Sequence, residues 1–75
     1  MSHVVMAEMA VAASVSEVVA GPGDVVEPTD ALVILDAMKM ETPVLAEVAG
    51  VVRQLTVVEG DVVNQGDPIA VIDQS

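Results

Sequence analysis

Gly23-Asp24-Val25-Val26 recurs 37 residues later as Gly60-Asp61-Val62-Val63. The repeat grows outward from these two tetrapeptides. Without a gap, Val11–Met38 falls on Val48–Ser75, and nine of the 28 pairs are identical: Val11/Val48, Ala12/Ala49, Val15/Val52, Gly23/Gly60, Asp24/Asp61, Val25/Val62, Val26/Val63, Asp30/Asp67 and Asp36/Asp73. Other pairs keep their character, among them Val18/Leu55, Leu32/Ile69, Ile34/Val71 and Leu35/Ile72. Abundant valine accounts for isolated matches, but not for one tetrapeptide twice in the same register. The chain reads as a single two-fold pseudo-symmetric domain over residues 1–75, each half contributing a few strands.

Both halves carry the same punctuation. A strand-like run comes first, Ser14–Ala20 or Gly50–Val57. A Gly-Asp turn follows, then a Val-Val pair, then a second turn at Pro28-Thr29-Asp30 or Gln65-Gly66-Asp67. A longer apolar strand closes each unit, Ala31–Ala37 or Pro68–Asp73. Gly and Asp stand where a turn needs positive φ or a side chain that bonds its own backbone. Short strands at this spacing, with no helical period between them, predict an all-β sandwich or barrel. Pro43 and Pro68 should mark strand ends or edges, because proline cannot donate to a sheet ladder. Residues 1–5 are expected to fray, His3 with them, and Met6–Ala13 matches the repeat more loosely than the rest.

Composition excludes several functions. Hydrophobic residues make up 53% of the 75, which argues against disorder, and 18 of them are valine, which favours strands. Phe, Tyr and Trp are absent, so no aromatic platform exists for stacking single-stranded nucleic acid. Twelve acids against two bases leave a net charge of −10, which repels phosphate backbones and anionic membranes. There is no cysteine and one histidine, so neither a disulfide, a thiolate nucleophile nor an ordinary zinc site can be built. No apolar run reaches the roughly 18 residues that span a bilayer, and no basic segment leads into an apolar one. The expected compartment is the cytoplasm. A chain this small fits a carrier, adaptor or binding module better than a free-standing enzyme.

One place breaks the pattern. Lys39 is the only lysine, Arg53 the only other base, and Lys39 falls where the two halves join. A hairpin is predicted there, from strand Ala31–Ala37 to strand Glu41–Ala46. Its tip carries Met38 and Met40 where turn chemistry asks for Asn-Gly or Asp-Gly. Taken singly, an exposed lysine is a solubility residue, and methionines fill gaps in cores. Met-Lys-Met between two strands, at the centre of a repeat, is a different matter. Local rules are broken where a function requires it.

The segment Asp36-Ala37-Met38-Lys39-Met40-Glu41 resembles the Glu-Ala-Met-Lys-Met attachment motif of the biotinyl/lipoyl attachment domain family, and most of all its small biotin carboxyl carriers. The likeness runs from about Ala7 to Asp73. It includes Thr42-Pro43-Val44, Ala49-Gly50-Val51-Val52, Gly60-Asp61-Val62-Val63 and Gly66-Asp67. Three departures stand out: Asp36 replaces the usual Glu, Gly21-Pro22 has no counterpart in the second half, and the protruding thumb of some carriers is missing.

The resemblance implies a flattened β-barrel, a barrel-sandwich hybrid of two four-stranded antiparallel sheets, with a modified lysine on an exposed turn. It implies that a biotin protein ligase joins biotin to the ε-amine of Lys39, with Asp36, Ala37, Met38, Met40 and Glu41 read by the ligase and later partners. The carrier would then serve a biotin carboxylase and a carboxyltransferase, in an acyl-CoA carboxylase system, without being an enzyme itself. It is expected to be monomeric when isolated, with no nucleic-acid or membrane partner. Two other functions fit the same fold. Lipoyl carriers place an acid before the lysine and Ala after it, where this chain has Met on both sides. An unmodified barrel-sandwich interaction module would leave Lys39 bare; the helical hairpin that membrane-fusion adaptors insert near the tip is absent.

Overall fold

The computed structural model describes residues 1–9 and 11–74, and it is built of eight strands. They are β1 (Ser2–Met6), β2 (Ala13–Val18), β3 (Val25–Val26), β4 (Ala31–Ala37), β5 (Met40–Leu45), β6 (Gly50–Leu55), β7 (Val62–Val63) and β8 (Pro68–Asp73). Two four-stranded sheets result, in the orders β1-β8-β6-β3 and β5-β4-β2-β7, with every pairing antiparallel. This is the flattened, two-sheet barrel expected from the sequence. Pro43 lies in β5, an edge strand, and Pro68 opens β8, so neither costs an interior ladder bond.

The repeat becomes a spatial two-fold. Each half's Val-Val pair joins the other half's long strand, β7 to β2 and β3 to β6, so the halves interlock. Backbone bonds come in related pairs. Gly23 N–H donates to Val52 O at 2.8 Å, and Gly60 N–H to Val15 O at 2.8 Å. Val52 N–H donates to Asp24 O at 2.9 Å, and Val15 N–H to Asp61 O at 2.7 Å. Both long strands bulge at the same place, between Val15 and Glu17 and between Val52 and Gln54. The core is likewise assembled from equivalent buried pairs, including Val15/Val52, Val26/Val63, Leu32/Ile69, Val33/Ala70 and Leu35/Ile72.

Aspartate closes all four turns in one way. The carboxylates of Asp24, Asp30, Asp61 and Asp67 accept from the N–H three residues earlier, at 2.9, 2.8, 3.0 and 2.8 Å. Each side chain thereby satisfies an N–H that the turn leaves without a ladder partner. Gly21-Pro22 lacks a sequence counterpart, yet its turn folds like that of Val58-Glu59, because Asp24 and Asp61 impose the same closure.

The N-terminus differs from expectation. In the stretch expected to fray, Ser2–Met6 forms β1 along β8, with Val5 buried at 1% exposure. Met1 O accepts from Gln74 N–H at 2.7 Å, and His3 Nε2 lies 3.1 Å from Glu47 Oε1. Burying Val5 and completing the ladder of β8 hold this strand in place. β1 is the counterpart of β5, but at a spacing of 39 residues: Val5/Val44, Ala7/Ala46 and Glu8/Glu47 are identical pairs. A two-residue insertion between Glu8 and Val11 hides that match from a gap-free comparison. Ala10, inside this stretch, and Ser75, the repeat partner of Met38, lie outside the described residues.

Candidate functional site

β4 and β5 form the hairpin that joins the two halves. Their ladder runs to its last rung, Asp36 opposite Glu41 and Ala37 opposite Met40. Only Met38 and Lys39 remain as the loop, at φ 53° and 64°. A two-residue loop with positive φ at both positions matches the twist of the flanking strands. Met40 is therefore not part of the tip proper; it opens β5. Left-handed backbone costs a residue with a Cβ about 1 kcal/mol or more. The register of β4 with β5, anchored by buried Leu32, Val33 and Leu35, imposes that conformation on Met38 and Lys39.

The residues predicted from the sequence gather at this end, in distinct settings. Ala37 is buried and seats the end of β4 on the core. Met38 and Met40 are 82% and 68% exposed, so neither fills a core gap. Lys39 is exposed, and among the described residues it takes part in no ion pair. Asp36 and Glu41 face outward as a cross-strand pair of like charge, an arrangement that is unfavourable unless other contacts offset it.

Ser16 supplies such a contact and was not singled out in the sequence. It stands at the bulge of β2, and its hydroxyl donates to Glu41 Oε2 at 3.1 Å. Ser14 donates to the backbone O of Asp36 at 3.4 Å. The carboxylate of Glu41 is thus drawn across the sheet toward β2. Its repeat partner, Arg53, stands at the equivalent bulge of β6, but nothing in the sequence pairs Ser16 with Glu41.

The opposite end of the domain holds the chain termini. β5 leads away from the tip, and Glu47 lies roughly 23 Å along an extended chain from Met40. There Glu47 meets His3, beside the Met1–Gln74 pairing. A groove of about 500 Å3 between β1 and β5 is lined by Met6, Met9, Leu35, Pro43 and Val44, and includes neither Met38, Lys39 nor Met40. What this tip offers chemically is a single primary amine, exposed on a laddered hairpin between two exposed thioethers. Among the described residues Lys39 is in no ion pair, and an exposed amine of this kind suits a group to be modified.

Comparison with known proteins gives consistent matches. The pattern of a family described as "Biotin-requiring enzyme" matches residues 3–72. The biotinylated protein TB7.3 homolog of Mycobacterium leprae is 55% identical over 62 residues, which cover 83% of this chain and 87% of that one. The urea carboxylase of Kluyveromyces lactis contains a region that superposes with a TM-score of 0.89 at 34% identity, over 97% of this chain and 6% of that one. A single-chain, multi-domain long-chain acyl-CoA carboxylase matches with a TM-score of 0.86 at 32% identity, over 99% of this chain and 7% of that one. The chain thus spans a small fraction of either carboxylase.

Proposed function

The chain belongs to the biotin/lipoyl attachment family, and we propose that it is a biotin carboxyl carrier whose cofactor is attached through Nζ of Lys39. The observation that carries this reading is the tip itself. Lys39 stands at φ 64° in a two-residue loop, outside any ion pair among the described residues, between Met38 and Met40. The tip fits the group: Met38, Lys39 and Met40 are all exposed, and an exposed amine can enter a ligase active site. Nζ of Lys39 would hold biotin through an amide bond to its carboxyl carbon, made by a ligase with release of the activating group and of a proton from Nζ. When bound, biotin supplies the ring nitrogen that carries a carboxyl group from a biotin carboxylase to a carboxyltransferase.

The chain's own residues position that chemistry. The β4–β5 ladder keeps the amine at one end of a body 36 Å long. The arm from Cα of Lys39 to the ring is about 11 bonds, or roughly 14 Å of reach. Separated active sites therefore require the whole domain to move, and tethering raises the local concentration at each. Ser16 draws the Glu41 carboxylate toward β2.

The finer assignments rest on the same reading. The acceptor is an acyl-CoA, supported by the match to a long-chain acyl-CoA carboxylase, with urea and pyruvate the competing acceptors. The partners are a biotin protein ligase, a biotin carboxylase and a carboxyltransferase. The carrier works in the cytoplasm as a monomer, its charge of −10 opposing self-association. Methionine on both sides of Lys39 favours biotin over lipoate. Incubation with biotin, ATP and a biotin protein ligase tests the site, read by intact mass and streptavidin binding beside a Lys39→Arg control. A lipoyl mass on protein from the native host, or no adduct there, overturns the biotin reading. Carboxylation assays on the co-purified complex, with acyl-CoA, with urea and with pyruvate, decide the acceptor.

A further inference from the structure

Resting on the attachment reading, we propose that Met38 and Met40 form a redox-sensitive modification site that gates loading of Lys39. The chain has five methionines and no cysteine, so thioethers are its only oxidisable sulfur. They are placed unequally. Met38 and Met40 are 82% and 68% exposed, Met6 is 50% exposed, and Met9 packs against the core. Met1, at 92%, lies at the end far from Lys39. Apart from Met1, the most accessible thioethers are therefore the two that flank the amine. Oxidation follows exposure. A neutral oxidant such as hydrogen peroxide is not repelled by a charge of −10.

The chemistry balances. One peroxide oxygen is transferred to sulfur: an S–O bond forms, the O–O bond breaks, sulfur loses two electrons, and water leaves. The product is a polar, chiral sulfoxide in place of a flexible apolar chain. At the tip this leaves the fold unchanged, because neither side chain belongs to the core. It alters the surface that a ligase must desolvate in order to reach Lys39. An apolar anchor turned polar and buried without a partner loses binding energy. Methionine sulfoxide reductases reverse the change, so the site can act as a switch.

The experiment begins with unmodified protein exposed to hydrogen peroxide. Peptide mass mapping should show sulfoxide, about 16 Da per methionine, at Met38 and Met40 before Met6 and Met9. Ligase-dependent biotinylation should slow roughly tenfold, the scale expected for a spoiled apolar anchor, while the thermal melt stays in place. Treatment with both reductases should restore mass and rate together. The variant Met38→Leu/Met40→Leu, compared only with its own untreated rate, should label equally before and after peroxide; a peroxide-dependent loss of rate in this variant overturns the switch. Confirmed sulfoxides at both positions with an unchanged rate overturn the switch and leave the attachment reading standing. So does a rate that stays low after the reductases have restored the mass. Untreated protein that takes up no biotin overturns the attachment reading, and the switch with it.

Discussion

Two kinds of turn in this molecule share one region of backbone space. Gly23 and Gly60, at φ 93° and 95°, close the turns that end in Asp24 and Asp61. Met38 and Lys39, at 53° and 64°, close the hairpin at the tip with full side chains. In the first case the residue type obeys the backbone, and the turn serves the fold. In the second the backbone is imposed by β4 and β5, and the side chains it carries stand exposed. Relaxed turns hold the barrel together; the strained one presents its amine.

The largest expected effect lies in the strained turn and concerns chemistry. Lys39→Arg should abolish ligase-dependent labelling while stability moves by less than about 0.5 kcal/mol, since little surface is buried there. A streptavidin blot and a urea titration measure the two quantities. Residual label would place the attachment elsewhere and dissolve the contrast between the turns.

Backbone positions should show the reverse. Gly50 is the repeat partner of Ala13, but a Cβ at Gly50 would strike the carbonyl oxygen of Asp73 and come 2.9 Å from Cγ2 of Ile72. Gly50→Ala should therefore destabilise by about 2–3 kcal/mol, through overpacking against backbone that cannot yield. A Cβ at Gly60 meets no such obstacle, and the φ of 95° opposes a β-branched residue there. A cost of about 1–2 kcal/mol is expected, with normal labelling of the folded fraction. Denaturation midpoints separate crowding from conformational strain. An unmoved midpoint for Gly60→Val would mean that the turn does not need glycine.

The smallest effect has the opposite sign. Met38→Asn places a residue that tolerates left-handed backbone in the strained turn. Stability should rise by about 0.5 kcal/mol, less than the full strain of one residue, while biotinylation slows. A loss of stability would show that Met38 contributes to folding, against its exposure of 82%.

Much of this was legible in the sequence because its causes are local. The Asp-closed turns, the Val-Val pieces and the strands Ala31–Ala37 and Pro68–Asp73 stand where residue types put them. The tip was legible because it violates turn chemistry at the centre of the repeat. β1 was not, since Ser2-His3-Val4-Val5-Met6 carries weak strand signals and its likeness to β5 is displaced by two residues. The role of Ser16 was hidden for another reason: its partner Glu41 is 25 residues away, and only the bulge of β2 brings the two within 3.1 Å.

The turns, the strand intervals and the place of Lys39 between two halves follow from local sequence. Each depends on φ preferences, period-two patterning or a side chain bonding its own backbone, all of which act within a few residues. Long-range packing is what joins β7 to β2 and β3 to β6, holds Ser2–Met6 as a strand, and puts Met38 and Lys39 at positive φ. Those outcomes depend on burial and pairing between distant segments. Val5 is worth burying only beside β8, and the strain at the tip is tolerated only because Leu32, Val33 and Leu35 anchor the register that creates it.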